Sequence, residues 1–446
     1  MNTSKAMRLG FYSLVWPIFV DHFLRVVVLV ASYGLMSQIS DEIAGMFGVI
    51  NLYLLIGFTF SECLAQGGAI ILTHYLGAKE KELGQFYSIM VLMSLLAGLF
   101  ISVIFFSFSS SLLSSFGFSQ TSLQDGVYYL SLVGSCFFIY SLNYAFLSIL
   151  NAHGFTKYSM HYSLLVNGLS LLFYYMIAFF SDIFPSNRLV LIAWIQCFVR
   201  CVGMVFLLRM LRSLVPNFVL YTKIPWPFMK QHLSRFLRIS LPNAIEPLSS
   251  QMFQFFLIKI IATIEHEALS VRSYLISLTT LFEIGIWSIS RGNQIIVGHL
   301  VGANETEFVW KQLRKSIAVS FLLSVFILCF GLKFRYEFMH FFSHTESVVN
   351  IGAELLTLVA GLILIRTVTF NLQGGLRAAG DIKFGFTLAQ LVMWGFTMPG
   401  AYIVTHFFKM GLQGIWIMLL VDESIRTVFL LQRWKSQKWK NRMSRQ

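Results

Sequence analysis

Charge is the scarcest property of this chain. Asp, Glu, Lys and Arg make up only 12% of its 446 residues, about half the share of a typical soluble domain, which excludes that class. Acids are rarer than bases, 20 against 33, and prolines number 8. The five cysteines (Cys63, Cys136, Cys197, Cys201 and Cys329) all sit inside apolar runs. None stands at metal-ligand spacing from a histidine, so they read as buried free thiols rather than a disulfide framework or a zinc site. There is no Walker-type Gly-rich phosphate loop, which argues against ATP as the direct energy source. The first apolar run is too long for a signal peptide and has no small-residue cleavage site.

What the chain has is hydrocarbon. Hydrophobic residues reach 57% and mean hydropathy is +0.72. The apolar runs are about 20 residues each, enough to span a bilayer. Twelve spans are expected: 10–37, 43–73, 85–108, 127–150, 158–182, 189–211, 237–264, 268–298, 313–333, 350–376, 384–406 and 411–432. Only helices and closed barrels satisfy the backbone in lipid, and these long continuous runs lack the short alternating strands of a barrel. The expected fold is an all-α integral membrane protein.

The net charge of +13 does not point to nucleic acid, because the basic residues cluster in short loops between the apolar runs. Lys5, Arg8, Lys79, Lys81, Lys157, Arg209, Arg212, Lys311, Arg314, Lys315, Arg377 and Lys383 fall on one side, as does the tail with Arg433, Lys435, Lys438, Lys440, Arg442 and Arg445. The opposite stretch Ser107–Asp125 has none; Lys333, Arg335 and Lys409 are the exceptions. The positive-inside rule then puts both termini in the cytoplasm, beside anionic lipid of a cell (inner) membrane.

The chain also writes itself twice. At a constant offset of 225 (242 − 17), Pro17 meets Pro242, Asp21 meets Glu246, Glu42 meets Glu267, Gly67 meets Gly292, His74 meets His299 and Gly77-Ala78 meets Gly302-Ala303. At an offset of 226 (376 − 150), Leu150–Lys157 echoes Leu376–Lys383, and Arg200 meets Arg426. A period of half the chain means two homologous lobes. Six spans per repeat make them parallel repeats about an axis along the membrane normal. The expected division is an N-lobe at 1–211, a cytoplasmic linker at 212–236 containing Pro216, Pro225 and Pro227, a C-lobe at 237–432 and a basic tail at 433–446.

These residues resemble the MATE family of multidrug and toxin extrusion antiporters. The likeness rests on the Gly-Ala after spans two and eight and on Leu376-Arg377-Ala378-Ala379-Gly380-Asp381-Ile382-Lys383. It rests also on Gly411–Trp416 opening the last span and on the early prolines of spans one and seven. The resemblance implies twelve transmembrane helices in two six-helix lobes forming a V. It implies a monomeric transporter rather than an enzyme, exporting amphipathic organic cations or drugs against Na⁺ or H⁺ and needing no other cofactor. A lipid-linked oligosaccharide flippase of the same superfamily is the alternative, kept open by Arg25, Arg200 and Arg366. An intramembrane acyltransferase, with His22 beside Asp21, is a third. One departure stands out. The family acid about four turns past the first proline falls on Ser32, whereas the acid here is Asp21, one turn past Pro17.

An ionisable side chain at mid-membrane costs about 2.5–3.5 kcal/mol on insertion scales and therefore needs a reason. Asp21 lies roughly 18 Å into its helix at about 1.5 Å per residue, on the same face as Arg25 at i,i+4. It is either a protonatable coupling group or half of a permanent ion pair. Glu246, just before Pro247, is a coupling carboxylate or an acid in a watery vestibule. Glu62 and Glu283 have no same-helix basic partner and are expected to line the cavity, with an interhelical pair as the alternative. Asp422 and Arg426 are expected to clamp each other within span twelve, leaving Glu423 unexplained. The coupling candidates are therefore Asp21, Glu62, Glu246, Glu283 and Glu423. The charge-balancing candidates are Arg25, Arg200, Arg366 and Arg426, of which Arg200 and Arg366 neutralise acids or meet an anionic cargo. His74 and His299 read as cations at helix C-termini that glycine closes in left-handed geometry.

Overall fold

A computed structural model describes residues 10–80, 83–114, 119–180, 188–216, 218–221, 223, 225–264 and 266–440. Lys5, Arg8, Lys81, Arg442 and Arg445 of the orientation argument lie outside the described residues. Among the described residues the only regular structure is helix. In order come α1 (Phe11–Ser37), α2 (Asp41–Ala78), α3 (Leu83–Leu113), α4 (Gln120–Ser135), α5 (Phe137–Ala152), α6 (Thr156–Phe179) and α7 (Arg188–Leu214). Then follow α8 (Trp226–Ile261), α9 (His266–Gly302), α10 (Thr306–Lys333), α11 (Arg335–Phe342), α12 (Glu346–Ala378), α13 (Ile382–Gln390), α14 (Met398–His406) and α15 (Gly411–Lys435).

Over the described residues each expected span falls largely on helix, but not every span is plain. Among the described residues, eight helices are long and apolar enough to cross a bilayer alone. Span four is α4 plus α5, bent by 43° at Cys136, and makes a ninth. The other three are α8, α15 and the α13–α14 run. The first two carry charge inside the helix: Arg235, Arg238 and Glu246 in α8, and Asp422, Glu423 and Arg426 in α15. In span eleven, seven residues, Leu391–Thr397, wind as π-helix between α13 and α14. Pro399 supplies the cause: it has no N–H to give, and its ring crowds the carbonyl one turn back, so the ladder widens before it. The short α11 was not expected.

Two compact units result. One is Tyr12–Ala244; the other runs from Ile245 onward, with Gly10 and Phe11 of the amino terminus. The expected linker at 212–236 is shorter than supposed, because α7 continues to Leu214 and α8 starts at Trp226. The division falls inside α8, between Pro242 and Pro247, since the first half of α8 packs on α2. A Cβ on Gly67 would lie 2.4 Å from the Ser240 Cα. Asn243 Nδ2 donates to the Cys63 carbonyl over 2.6 Å. Small residues let membrane helices approach this closely.

Inside the first unit, Phe47, Ile50, Leu54, Phe105, Tyr129, Phe137 and Ile192 form a core. Inside the second, Leu257, Val271, Leu275, Met339, Val359 and Ile363 do so. The second is also tied by polar groups. Ser316, Ser320 and Ser324, one turn apart on α10, face α12, where Asn371 accepts from Ser316 (2.6 Å) and donates to Ser320 (3.0 Å). Large side chains on the outside stay bare, such as Phe326 at 75% and Phe100 at 66% exposure, because lipid takes the place of water around them.

The duplication is visible in the backbone. Four helices end with the same left-handed residue: Lys79 (φ 56°), Gly154 (85°), Asn304 (59°) and Gly380 (83°). In each, the next N–H returns to the carbonyl five residues back, as in Glu80 to Tyr75 and Glu305 to Leu300. Positions 79 and 304 keep the first offset; 154 and 380 keep the second. This corrects one expectation: Gly77 and Gly302 do not make the left-handed turn. Their helices run to Ala78 and Gly302, and Lys79 and Asn304 make it instead.

Candidate functional site

In the first unit, α1, α2, α5, α6 and α7 line an open cavity of about 280 Å³. Arg25 on α1 stands at its acidic wall. Its Nη2 is 3.0 Å from Asp21 Oδ2, one turn back on the same helix. Its Nη1 is 3.3 Å from Glu62 Oε2 on α2. Gln66 Nε2 donates to the other Glu62 oxygen over 3.1 Å. The guanidinium also lies 5.9 Å from the Tyr144 ring centre. Two carboxylates thus share one arginine. The group is partly wet, with the Asp21 side chain 13% and that of Glu62 28% exposed. Glu62 therefore does both things weighed for it: it lines the cavity and it pairs across helices. Ser32 lines the same cavity, but its hydroxyl is spent on the Val28 carbonyl at 2.7 Å.

Arg200 on α7 also lines this cavity, and it is placed differently. Its Nη1 donates to the Tyr162 hydroxyl over 3.2 Å. Its guanidinium carbon sits 4.9 Å from the Tyr140 ring centre. No carboxylate of the described residues lies within 4 Å of it. Of the two roles weighed for Arg200 and Arg366, acid neutralisation describes Arg366 alone.

The second unit has its own shared arginine, and this one is dry. Arg366 on α12 bridges Glu283 of α9 (Nη1 to Oε1, 2.8 Å) and Glu423 of α15 (Nε to Oε1, 3.0 Å). The side chains are 20%, 5% and 8% exposed respectively. Glu283, expected to line a cavity, is instead buried in an interhelical pair, and Glu423 gains the partner its own helix lacks. Asp422 and Arg426 do form the within-helix clamp, with Nη2 to Oδ2 at 3.1 Å. Thr397, at the end of the π stretch, donates to the same oxygen over 2.7 Å. Glu246 is held one-to-one: Arg377 Nη2 lies 2.8 Å from its Oε1, and Gln373 Nε2 donates there over 2.5 Å. Arg377 ends α12, so Glu246 sits at that end of the unit, away from the triad.

The two triads share a charge balance and not a position. Two carboxylates and one guanidinium carry a formal −1 (−2 + 1). At the repeat offsets, however, Arg366 corresponds to Tyr140, Glu283 to Phe58 and Glu423 to Cys197. Each unit reached a shared-arginine triad with residues of its own.

Sequence reasoning missed several groups. Asp381, inside the Leu376–Lys383 motif, is fully buried against Arg433 at 2.6 Å, so a base assigned to the tail belongs to the fold. Arg272 on α9, 7% exposed, donates to Gln254 over 2.6 Å. Trp394, inside the π stretch, donates to the Ser249 hydroxyl over 2.9 Å. Pro399 inside an apolar run, and an acid in a loop otherwise basic, were the available signals.

The described residues form a helical multi-pass membrane protein with charged groups gathered inside each unit, where ionisable side chains mark functional sites. The chain belongs to the MatE family, whose pattern matches residues 17–176 and again 242–403, beginning each time at the duplicated proline. It is 26% identical over 429 residues to the uncharacterized transporter YisQ of Bacillus subtilis (strain 168), covering 96% of this chain and 94% of that one. It is 20% identical over 388 residues to the probable multidrug resistance protein YoeA of the same organism, covering 84% of this chain and 82% of that one. The crystal structure of MATE in the bent conformation superposes with a TM-score of 0.89 at 18% identity, covering 99% of this chain and 100% of the other.

Proposed function

We propose that the chain is a secondary active exporter that moves amphipathic organic cations out of the cell in exchange for Na⁺ or H⁺. It sits in the cytoplasmic membrane with both termini inside. The family and the relative named as a probable multidrug resistance protein support drug efflux. The coupling reading rests on one observation, the Glu283–Arg366–Glu423 triad. Its spare negative charge is buried, and an uncompensated buried ion costs several kcal/mol. A single proton or Na⁺ on the carboxylate pair removes that cost. A group that is stable only with a cation bound can bias one conformation over another, and differential affinity for the cation between two states is all that coupling requires. The Asp21–Arg25–Glu62 triad has the same balance in a wetter setting and can take the charge of either cargo or ion. Glu246, neutralised singly by Arg377, is left out of the coupling set.

The flippase reading needs a cationic cavity. Arg25 and Arg366 are each occupied by two acids, so two of the three arginines that sustained it no longer do. In proteoliposomes, an inward proton or sodium gradient is expected to accelerate ethidium export by the wild-type protein. Glu283→Gln is expected to abolish the acceleration while leaving gradient-free ethidium exchange. Acceleration undiminished in both Glu283→Gln and Glu423→Gln would overturn the assignment of coupling to this triad.

A further inference from the structure

Span four breaks where its repeat does not. α4 meets α5 at Cys136 with a bend of 43°, whereas α12 runs unbroken through Leu362, the counterpart of Cys136 at the offset of 226. No proline causes the break, since none lies between positions 120 and 152. It follows Gly134-Ser135, and the Ser135 hydroxyl donates back to the Ser131 carbonyl over 2.6 Å; Gly/Ser pairs and such back-bonding both bend helices. Cys136 itself takes φ −86° and ψ 5°, outside the helical well. A thiol thus sits at the joint, and a second thiol meets it. Cys197 on α7 shares a side-chain hydrogen bond with Cys136, across 61 positions of chain (197 − 136). Cys197 is 6% exposed, and Cys136 is half-buried. Their counterparts in the second unit are Leu362 and Glu423, so the thiol pair belongs to the first unit alone. Cys201, one turn along α7, is a third thiol near Cys136. Tyr140, one turn past Cys136, and Gln196, just before Cys197, line the open cavity, so a small neutral solute can approach the pair from that side.

We propose that Cys136 and Cys197 are a redox-active dithiol, which a hydroperoxide oxidises to an intramolecular disulfide that fixes the break in span four. One sulfur attacks hydrogen peroxide as its thiolate. The O–O bond breaks, and a sulfenic acid and one water form. The other thiol then attacks the oxidised sulfur, the S–S bond forms and a second water leaves. The two sulfurs give up two electrons and two protons, and hydrogen peroxide is reduced to two waters. Sulfurs in a disulfide stand about 2.05 Å apart, so a pair already in hydrogen-bond contact closes by side-chain rotation and a small shift at the joint. The bond ties that joint to α7. Disulfides are rare in proteins kept under reducing cytosolic conditions, and those that do form there are mostly transient and redox-sensing. Oxidation stiffens the joint and a dithiol reductant frees it.

The test uses the purified full-length protein, one molecule per nanodisc, treated with hydrogen peroxide. Thiols are then counted with N-ethylmaleimide in SDS, and linked peptides are identified by mass spectrometry without reductant. The count for the wild type is expected to fall from five to three (5 − 2), with a Cys136–Cys197 linked peptide. Cys136→Ser and Cys197→Ser are each expected to keep their four (5 − 1). The linked peptide is read in the wild type, so the assignment does not depend on either variant folding. Hydrogen exchange then reads the joint: the amides of Leu132–Tyr140 are expected to exchange about tenfold more slowly after oxidation, because local opening is what exposes them. Dithiothreitol, which reduces a disulfide but not a methionine sulfoxide, is expected to restore the original rate. The proposal is overturned if all five thiols survive, if Cys136 is found linked to Cys201 instead, or if the disulfide forms and exchange at the joint stays within twofold. Neither readout involves cargo or an ion gradient, so the outcome is independent of the exporter reading.

Discussion

Removing Arg366 is the sharpest perturbation of the second unit. The guanidinium spans three helices, reaching Glu283 on α9 at 2.8 Å and Glu423 on α15 at 3.0 Å from its own place on α12. Arg366→Leu fills most of the space and leaves two carboxylates, 5% and 8% exposed, facing each other without a counter-charge. Stripping one partner from a buried ion pair costs about 3–5 kcal/mol. That is roughly two to three and a half powers of ten in the folding equilibrium, at about 1.4 kcal/mol per power of ten. The loss should shrink as pH falls, because protonating the two orphaned acids removes the repulsion. The triple variant Arg366→Leu, Glu283→Gln, Glu423→Gln has no ion left to bury, so it is expected to recover at least half of the loss. The assay is unfolding in mixed micelles titrated with SDS, read by tryptophan fluorescence at neutral and acidic pH. A loss below about 1 kcal/mol for Arg366→Leu, or a triple variant no more stable than the single one, would refute the view that these residues form one electrostatic unit.

Three further outcomes follow from local geometry. Gly67→Ala places a methyl 2.4 Å from the Ser240 backbone, an overpacking expected to cost at least about 1–3 kcal/mol and to lower the thermal midpoint, whereas Gly168→Ala, with open space around its position, should not. Thr397→Val removes the hydroxyl that donates to Asp422. It is expected to cost about 1–3 kcal/mol, with the cost largely absent in an Asp422→Ala background, which has no acceptor left; equal costs in both backgrounds would argue against the contact. Lys79 holds left-handed geometry with a side chain, so Lys79→Gly is expected to stabilise by up to about 1 kcal/mol, read as a raised unfolding midpoint.

The architecture was legible in the sequence because duplication repeats the residues with the least freedom. Pro17 and Pro242 begin the two family matches, and Gly154 and Gly380 both adopt φ near 84° in structures at the same offset, 85° and 83°. Helix boundaries were less legible where polarity and helix overlap. The segment from Trp226 to Phe236 reads as linker because it carries His232, Lys230 and Arg235, yet it is the first third of α8. The site was half legible. Every acid singled out is indeed near an arginine, but periodicity reveals only same-helix pairs such as Asp21–Arg25 and Asp422–Arg426. Arg25–Glu62, Arg366–Glu283 and Arg366–Glu423 join residues 37, 83 and 57 positions apart, and nothing local in a sequence announces such partners. The same limit hid the isolation of Arg200, which depends on what α5 and α6 fail to place beside it.

The account stands on the claim that carboxylates sharing one arginine hold a cation that cargo or conformational change displaces. The most direct measurement is ion release on cargo binding. Purified protein in a weakly buffered medium is mixed with ethidium while a pH electrode and a sodium tracer record what leaves. The account predicts release of protons or of Na⁺ by the wild-type protein and a reduced release by Glu283→Gln at equal ethidium occupancy. Ethidium binding that releases neither ion, or a release undiminished in Glu283→Gln and in Asp21→Asn alike, would contradict it.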